Sequence, residues 1–231
     1  MADFTVHSID SAPEGSKAIL QGATEKFGFT PNLLGVLAES PVALKTYTTV
    51  AGMVGETSFD GTEQQVIVMT TSFENGCTYC MAAHTTVSGM TGVPADVVES
   101  LRSGTPIADP KLNALANFTR ALVQNGGAAD AASIDAFFAA GYSKAQALEV
   151  LVGIAQKTIS NFTNHLADTP KDDPFAANAW GKASDGLVAL CGGGELFVLH
   201  DALGEYCRNR CDEGGGITVL AFVSELPAER F

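Results

Sequence analysis

The sequence predicts an all-α chain, and three features carry that prediction. Ser143 is a good N-cap for a long helix. Beyond it Leu148, Leu151, Val152, Ala155, Ile159, Phe162 and Leu166 recur at i, i+3, i+4 and i+7 over six turns. Upstream, one apolar segment after another is separated by proline, glycine or Asn-Gly punctuation. No alternation of strands and helices occurs before residue 183, so no βα architecture is indicated.

The elements follow in order. Residues 1–12 read as a loose arm. A helix over 13–26 opens on Pro13 and stops before Gly28. Pro31 opens a second, made apolar by Leu33, Leu34, Val36 and Leu37. Pro41 starts a third through Leu44, Tyr47, Val50 and Val54. Residues 62–73 are dense in apolar side chains (Val66, Ile67, Val68, Met69, Phe73), which predicts a buried central helix. Asn75-Gly76 punctuates the chain, and 77–88 reads as the next helix. Further helices are expected over 94–101, 110–123 and 131–140, with one more turn over 175–180.

At about residue 183 the character changes. Residues 1–183 form a helical domain, and 184–231 read as an extension of open role. In it, Cys191-Gly-Gly-Gly194 and Glu213-Gly-Gly-Gly216 flank a stretch, 195–210, that suits a short helix. The apolar, β-branched run 217–223 suits a strand. Neither glycine triplet is followed by Gly-Lys-Ser/Thr, so they are not phosphate loops.

The formal net charge of −13 on 231 residues repels phosphate backbones and argues against a nucleic-acid partner. No apolar run is long enough to span a bilayer, and the N-terminus lacks a basic region followed by an apolar one. The expected location is the cytoplasm, where thiols stay reduced. Five cysteines, an odd number, do not make a disulfide framework.

Two of them, Cys77 and Cys80, stand with His84 in Glu74-Asn-Gly-Cys-Thr-Tyr-Cys-Met-Ala-Ala-His84. At 100° per residue the cysteines lie about 60° apart on a helix, and Cys80 and His84 about 40°. Three chemical groups thus share one face. The first turn of a helix favours a thiolate through its free N–H groups and dipole. His84, one turn beyond Cys80, is placed to take its proton. Cys77 is placed to attack an oxidised Cys80 and close a disulfide. Glu74 is a candidate auxiliary in the relay.

Other readings of the motif remain. Zinc requires about four ligands, and this face offers three at most. Haem attachment requires His directly after the second cysteine, where Met81 stands. A structural pair, a redox-sensing or binding module using the pair as a switch, and a cofactor-free lyase are alternatives to an enzyme of thiol redox chemistry.

The segment 62–84, with its apolar helix, Asn-Gly, Cys-x-Tyr-Cys and Ala-His, resembles the alkylhydroperoxidase D-like (AhpD-like) branch of the carboxymuconolactone decarboxylase family. A looser similarity extends from about Phe27 to Trp180 and includes Asn161-Phe-Thr-Asn-His-Leu-Ala-Asp-Thr-Pro170. The resemblance implies a helical fold assembling as homotrimers or homohexamers. It implies that Cys80 attacks a small hydroperoxide, Cys77 resolves, and His84 belongs to the proton relay. Electrons would come from an external dithiol or thioredoxin-like donor, with no metal or organic cofactor. Such enzymes often carry a relay glutamate twelve residues before the first cysteine. Gln65 stands there and cannot act as a base, which leaves Glu74 as the substitute.

His165, beside Asn161 and Asn164, is a candidate substrate-binding residue, with a helix C-terminal role as the alternative. Cys207 and Cys211, spaced i, i+4, form with Cys191 and His200 a conceivable second metal cluster that matches no strong zinc pattern. Tyr79, Phe175 and Trp180 read as packing residues.

Overall fold

A computed structural model describes residues 4–182 together with strand residues 190–192, 195–200, 205–211 and 217–223. The chain divides into two units, Met1–Lys182 and Ala183–Phe231.

The first unit is helical. Its elements are α1 (Glu14–Phe27), α2 (Asn32–Leu37), α3 (Pro41–Val54), α4 (Gly61–Glu74), α5 (Thr78–Thr91), α6 (Ala95–Ser103), α7 (Pro110–Gln124), α8 (Ala131–Ala139) and α9 (Lys144–Ala167). A short 3₁₀ helix, Asp173–Asn178, follows. The arm at the N-terminus is tied down: the amide of His7 donates to the Gly35 carbonyl, and His7 Nε2 lies 2.7 Å from Glu39.

Helix α4 is the hub. Eight consecutive or near-consecutive residues, Glu63 and Val66 to Ser72, are buried, because α5, α6, α7 and α9 all pack on it. Val66, Ile67, Val68 and Met69 form one core with Leu115, Phe118 and Leu122 of α7, Phe137 of α8, and Tyr142 and Val150. A capping box fixes the start of α4. Asp60 accepts from the Glu63 amide at 2.8 Å, and Glu63 accepts from the Asp60 amide at 3.0 Å. The buried Glu63 is further held by Lys111 at 2.9 Å and by the Tyr142 hydroxyl at 3.0 Å.

Helix α9 begins at Ser143, whose hydroxyl accepts from Gln146 in a second capping box. The predicted apolar stripe is there, but it faces outward. Leu148, Leu151, Phe162 and Leu166 are exposed, while Val150, Gly153, Gln156, Lys157, Ser160, Asn161 and Asn164 are buried. The helix presents a mostly polar face to the interior. Gly153 lets it come close to α4: a Cβ there would stand 2.6 Å from Ile67 Cγ2.

The second unit contains a four-stranded antiparallel sheet in the order β1 (Leu190–Gly192), β2 (Glu195–His200), β3 (Glu205–Cys211) and β4 (Ile217–Val223). The strand expected at 217–223 is β4. The short helix expected over 195–210 is instead β2 and β3, paired from Glu195↔Arg210 to His200↔Glu205. Phe197, Val198, Tyr206 and Cys207 suit a ladder as readily as a helix, and pairing across the strands decides. Cys207 and Cys211 therefore lack helical i, i+4 proximity and lie about 13 Å apart along β3. Residues 193–194 and 212–216, which hold most of the glycine triplets, lie outside the described residues.

Gly153→Ala should destabilise the helical unit by about 1–3 kcal/mol, because Ile67 must shift to admit the methyl group. A lowered urea or thermal unfolding midpoint checks this.

Candidate active site

Asn75 and Gly76 end α4 and re-aim the chain, with Gly76 in the left-handed region at φ 65°. Cys77 then serves as the N-cap of α5: its Sγ accepts from the Cys80 amide at 3.4 Å. The first cysteine thus sits just outside the helix and Cys80 in its first turn, both fully buried. Tyr79 between them anchors this end of the helix. Its hydroxyl donates to Asp172 and accepts from the Leu33 amide, and its ring meets Phe175 edge-on.

The polar face of α9 closes over the sulfurs. Asn164 Nδ2 donates to Cys80 Sγ at 3.3 Å and reaches Cys77 Sγ at 3.6 Å. Ser160 Oγ lies 3.7 Å from Cys80 Sγ. Asn161 spans to Ser72 and Asn75 at 3.4 and 2.9 Å. Lys157, 1% exposed, extends its ammonium to His84 Nε2 at 2.9 Å.

Among the described residues no carboxylate pairs with Lys157. A buried ammonium without a counter-charge costs several kcal/mol. Cys80 supplies the counter-charge. Burial pushes its thiol up, but the hydrogen bond from Cys77, the Lys157 charge and the Ser160 and Asn161 side chains together hold it well below the ordinary cysteine range. Cys77 moves the opposite way, raised first by its hydrogen bond to Cys80 and then by burial. Burial would lower Lys157, yet the Cys80 charge, with Tyr47 and Cys77, keeps it raised. These directions favour the charge on Cys80 and the proton on Cys77 in the reduced site.

This changes the role expected of His84. Lys157 can only donate, so His84 Nε2 accepts. The ring proton then sits on Nδ1 and donates to Gln65 Oε1 at 3.0 Å. Burial and the Lys157 charge hold the imidazole well below its ordinary range, in the neutral form. The i, i+4 spacing predicts that His84 meets Cys80 directly or through a water; among the described residues its Nε2 partner is Lys157. Gln65 occupies the relay position and fixes the tautomer, where a carboxylate would draw a second proton onto the ring beside Lys157.

Glu74 does not join the sulfurs. Its carboxylate bonds Arg120 Nε at 2.8 Å and Gln124 Nε2 at 2.9 Å. It follows Phe73 at the end of α4, and its side chain turns to α7. His165 does reach the site. With Gly76, Cys77, Thr78, Tyr79, Asn164, Asp168 and Thr169 it lines a hollow of about 260 Å³.

Sequence reasoning missed Lys157, Ser160 and the role of Asn164. The available signal was the set 156, 157, 160, 161 and 164, polar at helical spacing opposite the apolar stripe. By default such a face reads as solvated.

No family model matches the chain, and no curated protein matches it. Solved structures do. An AhpD-core, peroxidase-related protein from Ralstonia eutropha JMP134 superposes with a TM-score of 0.66 at 19% identity, over 74% of this chain and 93% of that one. The helical unit has the AhpD fold. A peroxidase-related protein from Silicibacter sp. TM1040 gives 0.64 at 16% identity, over 75% and 95%. The debrominase Bmp8, bound to 2,3,4-tribromopyrrole, gives 0.65 at 17%, over 77% and 95%. The AhpD fold thus hosts more than one chemistry. No helix among the described residues is long and apolar enough to cross a membrane.

Two outcomes follow from this arrangement. In wild type, alkylation of Cys80 by iodoacetamide should stay flat from neutral pH upward and decline only on acidification, since a depressed thiol remains ionised above its low pKa. In Lys157→Met it should climb through pH 8–9. At pH 7 it should be at least tenfold slower, because a free cysteine is ionised to only about one part in thirty there. Peptide mass mapping isolates Cys80 from the other cysteines. Arg120→Ala, by contrast, should cost about 1.5–3 kcal/mol of stability through the lost charged hydrogen bond and leave Cys80 alkylation unchanged.

Proposed function

We propose that the helical unit is a thiol-dependent peroxidase and disulfide oxidoreductase. The observation that carries this reading is the asymmetry of the pair. Cys80 is ionised beside Lys157, and Cys77 is held protonated within reach of the same Asn164 amide. The first is suited to attack and the second to resolve.

Cys80 thiolate attacks the terminal oxygen of a small hydroperoxide. The S–O bond forms, the O–O bond breaks, and the alkoxide leaves and takes a proton. The Lys157 ammonium is the available donor, and solvent restores its proton, with His84 Nε2 orienting the Lys157 amine as a hydrogen-bond acceptor. Cys77 then attacks the sulfenic acid, and water departs as the disulfide closes. Two electrons from an external dithiol or thioredoxin-like donor reopen it. The reaction requires no metal or organic cofactor.

The same reading includes self-association. On α9, Leu148, Leu151, Phe162 and Leu166 fall within about 60° of arc and are exposed. Such a stripe in place of a solvated face suits contact with further copies of the chain, in a homotrimer or homohexamer. The cytoplasm remains the proposed location, since a cycle driven by a dithiol donor needs a reducing compartment.

Hydroperoxide consumption with dithiothreitol as donor tests the activity. Cys80→Ser should abolish turnover with the fold intact by circular dichroism. Cys77→Ser should stop after one turnover, with dimedone trapping the sulfenic acid on Cys80. Turnover that persists in Cys80→Ser would refute the reading. For assembly, Leu148→Glu with Leu166→Glu should reduce the mass in light scattering to that of one chain.

A further inference from the structure

Lys157 is 1% exposed on the inner face of α9, and the hollow beside Cys77 is lined by other residues. Helices α2, α3, α4, α5 and α7 pack on α9. Their carboxylates are engaged elsewhere: on α4, Glu63 bonds Lys111 of α7 and Glu74 bonds Arg120 of α7. Glu149 of α9 accepts from Ser58. Helix α2 carries no titratable side chain, and Lys45 of α3 is exposed. The titratable groups that face Lys157 are therefore Tyr47 of α3 with Cys77, Cys80 and His84. Burial raises the Tyr47 phenol, and burial followed by the Lys157 charge lowers the His84 imidazole, so both are held towards their neutral forms. The Cys80 thiolate is left as the charge that answers the ammonium. Closing the Cys77–Cys80 disulfide removes that charge, and a buried ammonium that loses its partner tends to shed its proton.

We propose that Lys157 is an ammonium only while Cys80 is a thiolate, so that closing the disulfide leaves it a neutral amine and the proton content of the site follows the redox state of its sulfurs. The inference rests on the pair cycling through a disulfide. The stoichiometry closes without a proton from solvent. A hydroperoxide, the Cys77 thiol, the Cys80 thiolate and the Lys157 ammonium become an alcohol, water, the disulfide and the Lys157 amine. The O–O bond breaks, and the departing alkoxide takes the Lys157 proton. The S–S bond then forms, and the hydroxide leaving the sulfenic acid takes the Cys77 proton. When two electrons from a dithiol reopen the disulfide, one of its two protons goes to Cys77 and the other, by way of solvent, to Lys157. His84 serves both states. A neutral amine still carries two N–H groups, so the bond to His84 Nε2 at 2.9 Å persists when the charge is gone. Gln65 on the far nitrogen of the ring brings no charge that would hold the ammonium after the sulfur is oxidised.

The disulfide is made with diamide, so that the outcome does not depend on peroxide chemistry. Protein labelled with carbon-13 at lysine Cε reports the charge of each lysine by its chemical shift, and Lys157→Met assigns the resonance. At pH 7 Lys157 should be an ammonium in the reduced protein and an amine in the disulfide form. In Cys80→Ser it should be an amine without any oxidation. An ammonium resonance in the disulfide form overturns the proposal, and a Tyr47 phenolate band in the ultraviolet spectrum would then name the group that keeps the charge. An amine in the reduced protein, or an ammonium in Cys80→Ser, overturns it as well. Proton exchange gives a second readout. Diamide takes up two protons with its two electrons, and Cys77 and Lys157 supply one each, so a pH-stat should record no uptake from solvent. Uptake of one proton per disulfide overturns the proposal. Failure of diamide to form the Cys77–Cys80 disulfide overturns both this proposal and the redox reading. Failure of peroxide alone to form it overturns only the peroxidase reading.

Discussion

The attraction between the Lys157 ammonium and the Cys80 thiolate organises this molecule. An ammonium in a packed interior is tolerated only beside an opposite charge. No carboxylate among the described residues supplies one, so the sulfur does. The rest of the site follows from that. Ser160 and Asn164 turn inward because an ionised sulfur needs hydrogen-bond partners. His84 is held towards its neutral form by burial and, after that, by the Lys157 charge beside it. Gln65 serves at its position because a neutral imidazole needs an acceptor for Nδ1–H and no charge.

The same attraction inverts α9. Its polar side chains cannot face solvent if they are to reach the sulfurs, so its leucines and Phe162 are left outside. Gly153 allows the helix to lie against Ile67 of α4, close enough for side chains two and three turns later to meet α5. The surface proposed for self-association and the polar face that meets the sulfurs are therefore opposite sides of one helix.

The two cysteines differ although one sequence motif contains both. Cys77 caps α5 and sits at its edge, where the chain turns at Gly76 and a hollow opens. Cys80 sits one turn inside, against Lys157. Position along a single turn of helix sets Cys80 in the field of Lys157 and Cys77 against the wall of the hollow, both buried. A pair of equivalent thiols would open in either direction, whereas this one has a built-in polarity.

Much of the helical unit was legible by itself. Pro13, Pro31, Pro41 and Pro110, the cap Ser143 and the glycines at helix ends are local signals, and local hydrogen bonds obey them, as they do at the capping box of Asp60 that only the structure brought out. The burial of Val66 to Met69 was legible from four consecutive apolar residues, which cover every side of one helical turn; the burial of Thr70, Thr71 and Ser72 was not. The Cys-x-x-Cys-x-x-x-His spacing placed three groups on one side of α5 through helix geometry alone. What remained hidden was non-local. Glu74 lies three residues from Cys77, but the chain turns between them, and Arg120, forty-six residues on, captures its carboxylate. Lys157 lies seventy-three residues from His84, and nothing in the spacing of α9 tells an inward polar face from a solvated one. In the second unit, 195–210 reads from sequence as a short helix and is two paired strands, because the deciding hydrogen bonds belong to a neighbouring strand. Backbone propensity and periodicity act over a turn or two, so the sequence determined the elements, their caps and the nucleophilic motif. Charge pairing and burial act between elements brought together only by folding, and they alone decided which base, which face and which sulfur the site uses.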